Sequence, residues 1–219
     1  MEQETLHKLR MITPGLILLL VFFFLFQPDV DLKKLLNQGV SKDSILYMAA
    51  AAGVIGMGVI YYLLDLRKYV MKKPLAKIRE NIEQELLRPF LKNKKISSGA
   101  LEIKKDKKLL NIFYSFVDND KSLEKRSKEI YLNGLIWSTT ADARIISAFA
   151  AILYLIVWGV TRVPQYLLFA KISIVVFVLT FFIMPLVTKK HIGLSNLQLE
   201  LIVTKYKNKL QNELLKALK

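Results

Sequence analysis

Four apolar blocks fix the solvent in which this chain must fold: Ile12 to Phe26, Ile45 to Leu64, Ile145 to Val163, and about Tyr166 to Val187. A polypeptide of 219 residues cannot hide that much continuous apolar helix in a protein core, so lipid has to cover it. The second block is a clean twenty residues, the length a helix needs to cross a hydrocarbon slab of about 30 Å. The first has fifteen residues and rises only about 22 Å. Adding Leu9 and letting Arg10 snorkel extends it to about 10–26, close to spanning length. A charged start before an apolar run also has the form of a secretory signal. No small-x-small cleavage site follows, and the chain continues Phe24-Leu25-Phe26-Gln27-Pro28. The block reads as an uncleaved anchor.

Composition adds direction. The chain is 53% hydrophobic yet carries a formal charge of +15, so apolar and basic residues are segregated. The N-terminus, the middle region 67–144 and the tail from Thr188 hold 28 of the lysines and arginines; Lys33, Lys34, Lys42, Arg162 and Lys171 are the other five. Positive charge accumulates on the cytoplasmic side of membrane proteins. Both termini and the middle region are therefore expected in the cytoplasm, which only an even number of crossings satisfies. The predicted fold class is an all-α, multi-pass protein of the inner (plasma) membrane. It has four transmembrane helices in two antiparallel pairs, within 1–66 (about 10–26 and 45–64) and 145–187 (about 145–163 and 166–187). A basic helical cytoplasmic region over 67–144 lies between the pairs, and 188–219 forms an amphipathic tail helix.

Inside the blocks, Ala49 and Gly53, and Ala52 and Gly56, are each four apart and share a side of the second helix. Small residues there let another helix approach closely, within the chain or in a second copy, and point to a homo-oligomer. Lys171 is the single ionisable residue well inside a block; it either snorkels or lines a pore or interface. Tyr154, Trp158 and Tyr166 gather near the tight Thr161-to-Gln165 hairpin, as interfacial aromatics do. Pro185 is expected to kink or end the fourth block.

In the middle region, Leu75, Ile78, Ile82, Leu86 and Phe90 give helical spacing, with Pro74 suited to a first turn, or to a kink through which the second membrane helix runs on, and Pro89 to an end. Ser97-Ser98-Gly99 reads as a loop, and Leu101-Glu102-Ile103 as the start of a short strand. Leu109, Ile112, Phe113 and Phe116 form a second helix. Asp120 caps a third that stops at Asn133-Gly134. Thr139 and Asp142 have capping-box spacing ahead of the third block. In the tail, Leu199, Val203, Tyr206, Leu210, Leu214 and Leu218 line one helix face.

The chemistry on offer is sparse. Cysteine is absent, and the two histidines, His7 and His191, have no partner at ligand spacing. No phosphate loop, nucleophile elbow or zinc helix occurs, so no catalytic residue, metal or cofactor is assigned and the chain is not expected to be an enzyme. Asp118-Asn119-Asp120 with Glu129 imitates part of a calcium loop, but Leu123 stands where glycine is needed and nearby lysines would repel the cation. An ion-coupled transporter normally needs charge near the midplane, and the blocks offer little. What remains is the basic face: Lys92, Lys94, Lys95, Lys104, Lys105, Lys107 and Lys108. Anionic lipid headgroups, a soluble protein partner, and a nucleic acid or nucleotide signal would each suit it, with headgroups favoured. The function expected is a non-enzymatic, effector- or pore-like membrane protein whose basic region senses a partner. A scaffold that recruits a soluble protein is the alternative, and a lipid-modifying enzyme the third reading.

Overall fold

The computed structural model describes residues 3–29, 44–104 and 107–218. Among them the chain is helical throughout. α1 covers Gln3–Phe26, α2 Ser44–Leu64 and α3 Arg67–Leu87, which passes into a 3-10 turn at Arg88–Phe90. α4 (Lys94–Lys104), α5 (Lys108–Asn119), α6 (Lys121–Thr161), α7 (Pro164–Lys205) and α8 (Lys207–Lys216) complete it. Three stretches, Lys8–Phe26, Ser127–Thr161 and Pro164–Lys205, are long and apolar enough to cross a membrane. A fourth qualifies when α2 and its continuation past Asp65-Leu66 count as one broken span. The chain divides into two compact units, Met1–Met71 with Leu135–Met184, and Lys72–Gly134 with Pro185–Lys219.

In the first unit, α1 and α2 cross with backbone against backbone. A Cβ placed on Gly15 would lie 1.9 Å from the Val54 carbonyl oxygen, and one on Gly58 2.3 Å from that of Met11. Between helices in lipid, where no water is released, such close approach supplies the attraction. The crossing therefore uses a glycine outside the set picked from spacing. Gly53 makes an ordinary contact with Leu19, 3.5 Å away, whereas Gly56 faces open space and Ala52 is exposed. The side chain of Ala49 lies outside the described ones.

Near the α6–α7 turn, Ala150, Tyr154, Tyr166 and Ala170 are buried together, with Val21, Phe24, Leu25, Trp158 and Phe169 packed around them. The Tyr154 hydroxyl donates to the Val21 carbonyl at 2.7 Å and that of Tyr166 to Leu25 at 2.9 Å. Leu25 sits in the last turn of α1, where a carbonyl has no partner in its own helix, so the phenol satisfies it. These two tyrosines are packed rather than spread along an interface.

The second unit departs from the sequence reading at several places. Pro74 lies inside α3 rather than in its first turn, so of its two expected roles the helix running through it is the one observed, with the helix starting afresh at Arg67. Residues 101–103 belong to α4 and form no strand. Ser97-Ser98-Gly99 is helical as well, because Leu218 packs onto the bare Gly99: a Cβ there would meet Leu218 Cδ2 at 2.0 Å. The Asn93 carboxamide caps α4 instead, accepting the amides of Lys95 (3.1 Å) and Ile96 (3.4 Å). Finally, α6 does not stop at Asn133-Gly134. Asn133 is buried and donates to the Val187 carbonyl at 3.2 Å, with His191 Nδ1 3.3 Å away, so its amide serves a neighbouring helix rather than a helix end. α7 likewise runs through Pro185.

The tail is integral to this unit. Leu199, Leu210 and Leu214 are buried, and the buried Gln198 donates to the Leu123 carbonyl (3.1 Å) and to Ser127 Oγ (3.0 Å). The Asp120 carboxylate receives the Tyr206 hydroxyl and the Lys205 amine.

The crossing is tested by substitution. Gly58→Val should cost about 3 kcal/mol or more in detergent unfolding, since the obstruction is backbone. Gly56→Ala should stay within about 0.5 kcal/mol of the wild type.

Candidate functional site

Proline at position 14 lacks an amide hydrogen, so the carbonyl of Arg10, four residues earlier in α1, receives no helical hydrogen bond from it. In apolar surroundings an unpaired carbonyl is costly. Here Arg67, the first residue of α3, supplies the donor: its Nη2 lies 3.0 Å from the Arg10 oxygen. The same guanidinium grips Asp142 of α6 with both ends of its fork, Nε to Oδ1 at 2.8 Å and Nη2 to Oδ2 at 2.6 Å. Tyr61 of α2 donates its hydroxyl to Oδ1 at 3.0 Å. Asp142 is 0% exposed, so α2, α6 and the start of α3 meet on one buried carboxylate, and the guanidinium ties in α1.

Local sequence sets this up. Asp65 adopts a left-handed conformation (φ 46°), which ends α2 and lets the chain restart at Arg67. A cavity of about 60 Å³ beside the cluster is lined by Arg10, Pro14, Tyr61, Tyr62, Asp65, Leu66 and Arg67. It has room for a few waters. Counting along α6 from Thr161, Asp142 lies about 29 Å away, one hydrocarbon thickness from the α6–α7 turn.

A second arginine follows two residues along α6. Arg144 donates Nε to Thr180 Oγ1 at 3.0 Å and Nη2 to the Thr180 carbonyl at 2.7 Å, and stacks over Phe181 with Cζ 4.1 Å from the ring centre. Both arginines are consumed in joining helices. Asp142 faces an arginine and a phenol, and both bond to it from other helices. Among the described residues no group of three His, Asp or Glu could hold a metal.

The residues singled out from the sequence are scattered. Lys171 is exposed on α7. Lys92, Lys94, Lys95 and Lys107 are exposed in the second unit. Lys104 and Lys108 are half-buried; the carbonyl of Lys104 accepts Arg79 Nη2 at 2.9 Å, and Lys108 Nζ donates to the Ala217 carbonyl at 3.0 Å. Lys105 lies outside the described residues. Lys104, Lys107 and Lys108 therefore differ in exposure and in partners. Thr139 and Asp142, expected to cap a helix, stand in the middle of α6. The clamp itself escaped the sequence reading. Its visible trace is a proline inside an apolar block, one turn after an arginine.

No family model, no curated protein and no solved structure matches the chain.

Removing one partner of a buried ion pair leaves the other uncompensated. Asp142→Leu should cost about 3–5 kcal/mol, while Arg67→Met with Asp142→Leu should recover much of that loss. Reversible unfolding of the two variants in mild detergent measures the difference; equal losses would show that Arg67, left without Asp142, carries no penalty as an uncompensated charge.

Proposed function

We propose that this chain is a non-enzymatic, homo-oligomeric inner-membrane protein, effector- or pore-like, with four crossings in two antiparallel pairs and both termini in the cytoplasm. Its basic helical unit binds an anionic partner there, and its membrane helices respond by opening the bilayer. The observation that carries this reading is the fate of the charges within the apolar helices. Arg67, Asp142 and Arg144 are tied up between helices, whereas Lys171 stays exposed among Leu168, Ile172, Ile174 and Val175. It stands about 10 Å along α7 from Pro164. In a single copy that amine can only snorkel; in a ring of copies the amines would converge on one annulus and set ion selectivity. Paired charges, by contrast, offer no relay for an ion-coupled transporter.

A scaffold that recruits a soluble protein is the second reading, favoured by Lys92, Lys94, Lys95 and Lys107, which stay exposed without any demand on the membrane helices. Anionic headgroups, an acidic protein or a nucleotide would each suit those amines.

Controlled expression should depolarise cells, read with a potential-sensitive dye, and Lys171→Glu should shift the permeability from anions toward cations. An intact potential at high expression removes the pore reading. Loss of a co-purifying partner in the Lys92, Lys94 and Lys95 glutamate variant, with permeability unchanged, would establish the scaffold.

A further inference from the structure

The second unit carries an open cavity of about 530 Å³ whose lining comes from two helices: Lys95 of α4, and Lys209, Asn212, Glu213, Leu215 and Lys216 of α8. The α8 residues Lys209, Asn212, Glu213 and Lys216 recur at three and four, so one helix face supplies them. Lys216 Nζ lies 2.8 Å from Glu213 Oε1, which offsets one positive charge and leaves Lys95 and Lys209 as the surplus. Lys209 is placed rather than free to wander, because its amine stands 5.3 Å from the ring centre of Phe116, itself buried. Lys95 lies in the first turn of α4, which carries no acidic residue. A cation is unfavourable at that end of a helix, and an anion in the cavity would reverse the sign of the interaction. Asn212 adds an amide that can donate to an oxygen.

We propose that this cavity between α4 and α8 binds a phosphorylated anion larger than inorganic phosphate. The volume falls in the range of small-molecule sites and exceeds what a single inorganic phosphate would fill. The same chemistry is offered by a soluble nucleotide-like molecule and by the headgroup of an anionic phospholipid. The inference rests on the reading that the basic unit binds an anion, and it assigns that anion to one place: Lys95, Lys209 and Lys216 rather than Lys92, Lys94 and Lys107.

The test uses the full chain in nanodiscs. In phosphatidylcholine discs, sodium tripolyphosphate is titrated by calorimetry. In discs containing phosphatidylglycerol, retained lipid is counted by native mass spectrometry. Two triple variants of equal charge change are compared, Lys95→Glu/Lys209→Glu/Lys216→Glu and Lys92→Glu/Lys94→Glu/Lys107→Glu. The first should weaken tripolyphosphate binding by about tenfold or more, and the second by about threefold or less. Tripolyphosphate binding identifies a soluble ligand; phosphatidylglycerol retention alone, lost only in the cavity variant, identifies a headgroup. Either result supports the site. Equal weakening in both triples, or greater weakening in the second, overturns the cavity while sparing the wider anion-binding reading. No binding of either probe by the wild-type chain overturns both. Should the glutamate triple fail to fold, the Lys95→Gln/Lys209→Gln/Lys216→Gln variant decides by the same comparison.

Discussion

One guanidinium organises the first unit. Arg67 bonds simultaneously to the carbonyl that Pro14 leaves without a partner and to both oxygens of a fully buried aspartate. Taken separately, each of these groups would be a liability in apolar surroundings: an orphan carbonyl, a buried anion and a cation at the edge of lipid. Brought together they cancel, and Tyr61 adds a further donor to the same carboxylate. The helical break at Asp65-Leu66 follows from this requirement. A straight continuation of α2 would leave no reason for a left-handed residue at Asp65, whereas the observed turn delivers Arg67 to its two acceptors.

The close crossing of α1 and α2 complements the clamp. Gly15 adjoins Pro14, so the segment that loses a hydrogen bond is also the segment where the second helix approaches most nearly. Van der Waals contact holds the middle of the pair, and charge-assisted hydrogen bonds fix one end. At the opposite end the tyrosines of α6 and α7 bond to α1 carbonyls. Steric fit and polar satisfaction are therefore spread along the helix rather than duplicated at one point.

Much of this architecture was legible in the sequence, and the part that was not has a physical cause. Apolar length placed the end of α2 at Leu64, and helical spacing found the buried Ile78, Ile82 and Leu86. Stop signals were less dependable. Asn133-Gly134 and Ser97-Ser98-Gly99 carry the residues that end helices in water, but here a neighbouring carbonyl and the side chain of Leu218 reward helix at those positions. Tertiary contacts outweigh intrinsic propensities of roughly 1 kcal/mol or less per residue. The clamp was invisible for another reason: Arg67 and Asp142 are 75 residues apart, and hydropathy placed Asp142 outside its apolar block, so it looked like a helix cap. In the same way, spacing alone favoured Gly56 over Gly58, because four-residue periodicity does not reveal which side of a helix is occupied.

The wide separation of the clamp's members also orders the protein's biogenesis. A chain made from its N-terminus presents the α1–α2 pair, with Pro14, Tyr61 and Arg67, well before Asp142 has been synthesised. The tyrosines at 154 and 166, which bond to the other end of α1, are made later still. The early hairpin is thus complete in sequence well before the carboxylate that its arginine grips.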